Sequence, residues 1–78
     1  MELFVYGPQE TLTYTIAWIE LQTPTGSYTI QPGHAPTILI LSPGKIVSFR
    51  LKTGKHEEIT VNSGIAQINR KSVTILLS

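Results

Sequence analysis

The stretch "KIVSFRLKTGKHEEITV", residues 45–61, decides the fold, because two runs of alternating apolar and polar residues flank a short turn. The apolar positions of both runs fall at odd numbers: Val47, Phe49, Leu51, Ile59 and Val61. A period of two with one apolar face is typical of antiparallel strands that cover a core. Thr53 and Gly54 separate the runs, and glycine accepts the positive φ that tight turns require. The stretch therefore predicts a β-hairpin.

The run "TLTYTIAWIELQT", residues 11–23, alternates as well but changes phase half-way. Up to Trp18 the apolar residues alternate with Thr and Ala, and from Ile19 onward the apolar and polar positions exchange. Alternating threonines favour a strand over a helix. The change of phase predicts a bulge or bend where the strand crosses between two sheets. We expect two-sheet packing to hide the large aromatic residues Phe4, Tyr14, Trp18, Tyr28 and Phe49.

A second hairpin is predicted near the end of the sequence. In "SVTILL", residues 72–77, the apolar positions Val73, Ile75 and Leu77 alternate with the residues between them. Asn69-Arg70-Lys71 precedes this run, and asparagine tolerates the left-handed geometry of turns. No segment of ten or more residues shows the period of an amphipathic helix. The predicted fold class is all-β, in one domain spanning residues 1–78.

Composition excludes several classes of function. The chain has 78 residues and no cysteine, which rules out disulfides, thiolate nucleophiles and cysteine-based zinc sites. Its six Lys and Arg are spread along the chain against five acidic residues, which argues against nucleic-acid binding. The start "MELFVYG" does not resemble a signal peptide, and the longest apolar run, "TILIL", is far shorter than the roughly 20 residues of a membrane helix. We expect a soluble chain that meets a membrane only through a partner.

The residues for catalysis are also missing. There is no aspartate, and the two histidines, His34 and His56, lie on separate predicted turns, so neither a catalytic triad nor a metal site is expected. Glu57 and Glu58 are adjacent on a strand and point to opposite faces, so they cannot act as a facing carboxylate pair. The glycines match no phosphate-binding or dinucleotide motif. We expect no intrinsic catalysis and no cofactor.

The stretch "QPGHAPT", residues 31–37, is the most distinctive short motif. Pro32 and Pro36 fix their own φ and push the residues before them toward extended geometry, while Gly33 can turn freely. The motif predicts a stiff loop that loses little entropy when a partner binds it. The residues alone leave two interpretations open for His34: it contacts a partner, or it hydrogen-bonds within its own domain.

A family resemblance bears on this choice. "YTIQPGHAPTILILSPGKI", residues 28–46, resembles the stretch that marks the ε subunit of F-type ATP synthases, which is called δ in mitochondria. That family has a glycine- and acid-rich loop, then "PGHAP", an apolar strand, "KPG" and a further strand. "EEITVNSGIAQINRKSVTIL", residues 57–76, is similar to the strands and turns that follow in the family. The resemblance runs from about Leu3 to Leu77.

The resemblance implies a flattened sandwich or barrel of ten antiparallel β-strands with a coupling role. In the family this domain packs on the rotating γ subunit and stands on polar loops of the membrane-embedded c-ring, so that ion flow drives ATP synthesis. Such a subunit is peripheral, on the cytoplasmic face of a bacterial membrane or the matrix or stromal side of an organelle. Carried over residue by residue, the interface with γ and the c-ring would comprise Thr25, Gly26, Ser27, Gln31, Pro32, Gly33, His34, Ala35 and Pro36.

Two departures from the family keep other functions open. The family usually carries a carboxylate in the loop where this chain has Thr25-Gly26-Ser27, and that carboxylate can meet a basic ring loop. The family also continues into two C-terminal helices that restrain ATP hydrolysis, which need roughly 25 more residues, so residues 1–78 alone would lack this arm. One alternative is a free-standing β-sandwich adaptor for an unrelated protein. Another is a small-ligand or oligosaccharide-binding barrel that uses Trp18 and the tyrosines.

Overall fold

The computed structural model describes every residue from Met1 to Ser78 and contains only β-strands, joined by turns and short loops. The eight strands are β1 (Glu2–Tyr6), β2 (Thr11–Thr23), β3 (Gly26–Ile30), β4 (Thr37–Leu41), β5 (Lys45–Leu51), β6 (His56–Val61), β7 (Gly64–Ile68) and β8 (Ser72–Leu77). The predicted all-β class is confirmed, whereas the expected count of ten strands is wrong. One reason is that β2 runs for 13 residues without a break and pairs with β1 in its first part and with β3 in its last part. The structure contains no helix of the length and apolar character that crossing a membrane requires.

The strands form one curled sheet whose two halves face each other. The first half follows the order β4-β7-β8-β1-β2, and the second consists of β5 and β6 beside the later part of β2, with β3 on its other edge. Neighbouring strands are antiparallel except for β1 and β8, which pair in parallel from Glu2↔Ser72 to Tyr6↔Leu76. The expectation of purely antiparallel pairing is therefore wrong at this pair. The molecule measures 27 × 26 × 18 Å, which agrees with a flattened shape.

A bulge in β2 confirms the predicted change of phase. Against β5, Ile16 pairs with Leu51 and Trp18 pairs with Arg50, so Ala17 is an extra residue on the β2 side. Before the bulge β2 pairs with β1, and after it β2 pairs with β3. Burial follows the same shift, because Ile16 is buried before the bulge and Ile19 after it. The extra residue lets one strand face the core from both halves of the sheet.

The core is entirely apolar, and both halves of the sheet contribute to it. Its members are Leu3, Val5, Ile16, Ile19, Leu21, Ile30, Leu41, Val47, Phe49, Val61, Ala66, Ile68, Val73 and Ile75, each at most 2% exposed. The alternating positions of β5, β6 and β8 named from the sequence all belong to this core or pack against it. These positions confirm the inward faces that the period of two predicts.

The expected burial of the aromatic residues is confirmed for Phe49 and in part for Tyr14, which packs against the core, and it is wrong for Tyr28, which is exposed. Phe49 is fully buried, but Phe4, Tyr14 and Trp18 are half-buried, and Tyr28 is 38% exposed. Trp18 lies just past the bulge, which turns its side chain to the outer face, where it meets the ring of His56 edge-on at 5.9 Å. Tyr28 lies on the short edge strand β3, beside the hairpin turn. The bulge therefore decides the exposure of Trp18, and the edge position decides that of Tyr28.

Both predicted hairpins are present. The turn between β5 and β6 contains Gly54 with a φ of +101°, as expected. The turn between β7 and β8 contains Asn69, which does not adopt a positive φ. Its side-chain oxygen Oδ1 instead accepts hydrogen bonds from the backbone N–H groups of Lys71 (3.0 Å) and Ser72 (2.8 Å). Asparagine stabilises this turn through its side chain, a common alternative.

Candidate protein-interaction site

The loop from Gln31 to Pro36 begins with a tight turn. The backbone N–H of His34 donates to the carbonyl of Gln31 at 3.2 Å, which closes a four-residue turn. Pro32 and Gly33 take the two central positions, and Gly33 has a φ of +89°. Proline followed by a residue of positive φ is the pattern of a type II turn. The sequence expectation for Gly33 is therefore confirmed.

His34 makes a contact within its own loop and keeps one ring nitrogen free. Its Nδ1 lies 2.7 Å from the carbonyl oxygen of Ala35, which also accepts from the hydroxyl of Thr37 at 3.0 Å. A carbonyl oxygen only accepts, so Nδ1 carries the proton in this contact. Nε2 has no hydrogen-bond partner in the chain, and the side chain is only half-buried. Of the two interpretations left open by the sequence, the internal hydrogen bond is observed, and Nε2 remains available to a partner.

The second candidate segment is a two-residue hairpin turn. Thr23 pairs with Gly26, and only Pro24 and Thr25 lie between them. Gly26 and Ser27 therefore belong to β3, so only Thr25 of the three predicted residues lies at the tip. Ser27 donates to the side chain of Gln22 at 2.7 Å, and all three residues are exposed.

These two segments lie at opposite ends of the molecule. The turn at Thr25 precedes β3 and the loop at Gln31 follows it, so the five residues of β3 hold them about 17 Å apart. The end of β4 meets the hairpin that carries Thr25, because the N–H of Ser42 donates to the carbonyl of Gln22 at 2.8 Å. The nine candidate residues thus lie on two separate surfaces of the molecule. We call the one around Gln31–Pro36 the loop end and the one around Thr25 the hairpin end.

A residue that the sequence did not single out for function also contacts the loop. The backbone N–H of Gly33 donates to the carbonyl of Arg70 at 2.8 Å, and Arg70 Nη1 donates to the carbonyl of Gly33 at 3.2 Å. The sequence predicted only that Arg70 lies in the turn before the last strand. No local pattern could have identified the contact, because the two residues are 37 positions apart.

The outer face of the first half of the sheet carries an exposed apolar row. Register places Ile40 beside Ile65, Ile65 beside Leu76, and Leu76 beside Tyr6. Each of these side chains is at least 42% exposed, and Ile40 reaches 68%. Exposed apolar patches of this kind are typical of surfaces that bind other proteins.

The side chains offer no arrangement for chemistry. No group of three or more His, Cys, Asp or Glu residues is close enough to hold a metal ion. His56 lies 3.7 Å from Glu58, and Lys55 lies 3.2 Å from Glu57, so the adjacent glutamates have different partners. Trp18 lies on the outer face beside His56, which gives no support to a ligand-binding barrel. These features define a small two-layered β-sandwich whose exposed ends and outer face suit contact with proteins.

Comparison with known proteins gives this class a family. Residues 4–78 match the family model described as "ATP synthase, Delta/Epsilon chain, beta-sandwich domain". The chain belongs to this family, which confirms the resemblance found in the sequence.

Individual relatives agree with the family match. The ATP synthase epsilon chain of Paracoccus denitrificans (strain Pd 1222) is 35% identical over 77 residues, covering 97% of this chain and 51% of the relative. The epsilon chain of Bacillus thuringiensis (strain Al Hakam) is 33% identical over 64 residues, covering 81% of this chain and 46% of the relative. The chain thus spans about half the length of the curated relatives it matches.

Solved structures show the same fold. A chain in the structure of the Euglena gracilis mitochondrial ATP synthase (OSCP, F1 and c-ring) aligns with a TM-score of 0.84 and 25% identity, covering 96% of this chain and 48% of that one. A chain in the central stalk and c-ring structure of the Tetrahymena thermophila mitochondrial ATP synthase aligns with a TM-score of 0.81 and 18% identity. The alignment covers 99% of this chain and 62% of that one. At 18% identity the second likeness concerns the fold alone.

Proposed function

We propose that this domain is a non-catalytic, ε-type part of the central stalk of a rotary F-type ATP synthase. It connects the γ subunit to the c-ring during ion-driven ATP synthesis and needs no cofactor for this role. It is held at the membrane surface only through the complex, on the cytoplasmic face in a bacterium or the matrix or stromal side in an organelle. The coupling role needs only the β domain.

The observation that carries the proposal is the separation of the two candidate segments. A connecting subunit must contact two partners at once, and the β3 strand holds the hairpin end and the loop end about 17 Å apart on one compact sandwich. A two-layered sheet with a fully apolar core transmits force between its ends with little deformation. We assign the hairpin end to the c-ring and the loop end mainly to γ. The exposed apolar row from Ile40 to Tyr6 supports protein partners over small ligands.

The absence of cysteine makes a direct test practical, because any introduced cysteine is the only thiol of the chain. We would compare Thr25→Cys at the hairpin end with His34→Cys at the loop end. Thr60→Cys, exposed on β6, serves as the control. Each variant would be placed in the ATP synthase of its own organism and treated with a short thiol-reactive cross-linker.

Cross-links from residue 25 to a c-ring subunit and from residue 34 to γ would support the proposal, with residue 60 giving little product. Failure of the unchanged chain to copurify with any ATP synthase subunit would refute it. Recovery of an unrelated protein instead would favour the adaptor function.

A further inference from the structure

The loop end is larger than the loop itself. Its contact with the β7–β8 turn uses both backbone groups of Gly33, since the N–H donates to the Arg70 carbonyl and the carbonyl accepts from Arg70 Nη1. Asn69 fixes this β7–β8 turn, because its Oδ1 accepts hydrogen bonds from the backbone N–H groups of Lys71 and Ser72. A partner that contacts Pro32–Pro36 therefore also meets the side chains of this turn.

Basic residues collect at this end. Arg70 and Lys71 are exposed, and the carbonyl of Lys71 accepts from the N–H of Glu2 at 3.0 Å. Glu2 pairs with Thr15, whose carbonyl accepts from the N–H of Lys52 at 3.0 Å, so Lys52 lies on the same end. Hydrogen bonds thus link the loop, the β7–β8 turn, the start of β1 and the β5–β6 turn along one end of the sandwich.

Three cations of this end, Lys52, Arg70 and Lys71, have no carboxylate partner, although Arg70 Nη1 donates to the carbonyl of Gly33. The ion pairs of the molecule are Lys55–Glu57 and His56–Glu58, and neither includes Lys52, Arg70 or Lys71. Of the carboxylates near this end, Glu2 is half-buried and accepts from the hydroxyl of Thr15 at 3.1 Å, and Glu57, just after the β5–β6 turn, is already paired with Lys55. Two other carboxylates, Glu20 and Glu58, lie on the second half of the sheet, each paired across the strands with Ser48. The formal net charge of the chain is only +1, but its charges are unevenly distributed and the loop end is basic.

We infer that the loop end, formed by Pro32–Pro36 together with Lys52, Arg70 and Lys71, binds an acidic surface of its protein partner. Covering unpaired cations with an apolar or basic surface would strip their water without compensation. An acidic surface offsets that cost and raises the association rate by long-range attraction. This inference rests on the proposed function, which identifies the partner as the γ subunit of the central stalk.

The test measures the association rate and affinity of the chain for purified γ subunit at two ionic strengths, about 50 mM and about 500 mM. The double charge reversal Arg70→Glu with Lys71→Glu is compared with the single reversal Lys45→Glu, which lies at the start of β5, at the opposite end of the molecule. A further variant, Arg70→Gln, removes the charge but keeps an N–H donor for the Gly33 carbonyl. Thermal unfolding checks that each variant is folded.

We expect the double reversal to weaken binding at least tenfold at low salt, through a slower association rate, and by much less at high salt. Arg70→Gln should weaken binding a few-fold, and Lys45→Glu should change it less than twofold. Equal binding by the double reversal, or a loss that is the same at both salt concentrations, would overturn the acidic surface while leaving the proposed function standing. Absence of binding by the unchanged chain would overturn both.

Discussion

Gly33 is the residue at which the loop end depends most on an unusual backbone. Its φ of +89° is one that side chains with a Cβ rarely adopt, although a Cβ there would meet no heavy atom within 4 Å. Gly33→Val should therefore strain the turn without creating a clash. We expect a loss of about 1–2 kcal/mol in the free energy of unfolding, measured by urea denaturation, and at least tenfold weaker binding to γ.

Gly44→Val is the matched control for this prediction. Gly44 has a φ of +73° with the same open surroundings, and it lies in the turn before β5, away from the loop end. It should lose similar stability but keep its affinity for γ. If Gly33→Val binds γ normally, the turn at Gly33 is not part of the contact.

At the scale of single elements, β2 shows how one extra residue sets the core. The bulge at Ala17 places Trp18 on the outer face and leaves Ile19 fully buried. Ile19→Ala should therefore lower the free energy of unfolding by about 2–4 kcal/mol, because it leaves a cavity in a packed core. Trp18→Ala removes a larger side chain but should cost less, since that ring is only partly buried.

Urea denaturation of both variants checks this order, with Ile19→Val, expected to cost about 1 kcal/mol, as the mild version if Ile19→Ala does not fold. A larger loss for Trp18→Ala than for Ile19→Ala would show that the indole is a core residue after all.

The inward face of strand β4 cannot be assigned from its sequence, because "TILIL" has no polar residue after Thr37 that would mark the outer face. In the structure Leu41 is 2% exposed and its neighbour Ile40 is 68% exposed. Ile40→Lys should change the free energy of unfolding by less than about 0.5 kcal/mol. Leu41→Lys places an ammonium group in the core and should cost more than about 2 kcal/mol.

Melting temperatures from circular dichroism separate the two lysine variants, because each kcal/mol shifts the midpoint of a small domain by roughly 4–8 °C. Similar losses from both would mean that the inward face of β4 is wrongly assigned.

The elements also show where prediction from sequence ends. Strands β5, β6 and β8 could be assigned with their inward faces, because polar and apolar residues alternate in them. The bulge in β2 could be placed because the alternation itself shifts. The parallel pairing of β1 with β8 could not, since these strands are the first and last of the chain and no turn joins them. The contact of Arg70 with Gly33 could not be predicted either, because residues that are 37 positions apart leave no local pattern in the sequence.

At the scale of the whole molecule, the compact sandwich separates two surfaces with different charge. The hairpin end has no carboxylate at Thr25-Gly26-Ser27, whereas the loop end carries Arg70, Lys71 and Lys52. Charges at the two ends are separated by more than the screening length of about 8 Å at physiological ionic strength. They should therefore influence binding independently, as the proposed function requires.

One substitution at each end can test whether the hairpin end and the loop end contribute to binding independently. Ser27→Glu introduces an acid on β3 at the hairpin end and should tighten binding if the facing ring loop is basic, while Arg70→Glu should weaken binding at the loop end. Affinity would be measured for a complex that contains both γ and the c-ring. The change in affinity of the double variant should equal the product of the two single changes within about twofold, because distant sites add in free energy. A deviation beyond about fivefold would mean that both ends meet one continuous surface, and the assignment of separate partners to the two ends would then fail.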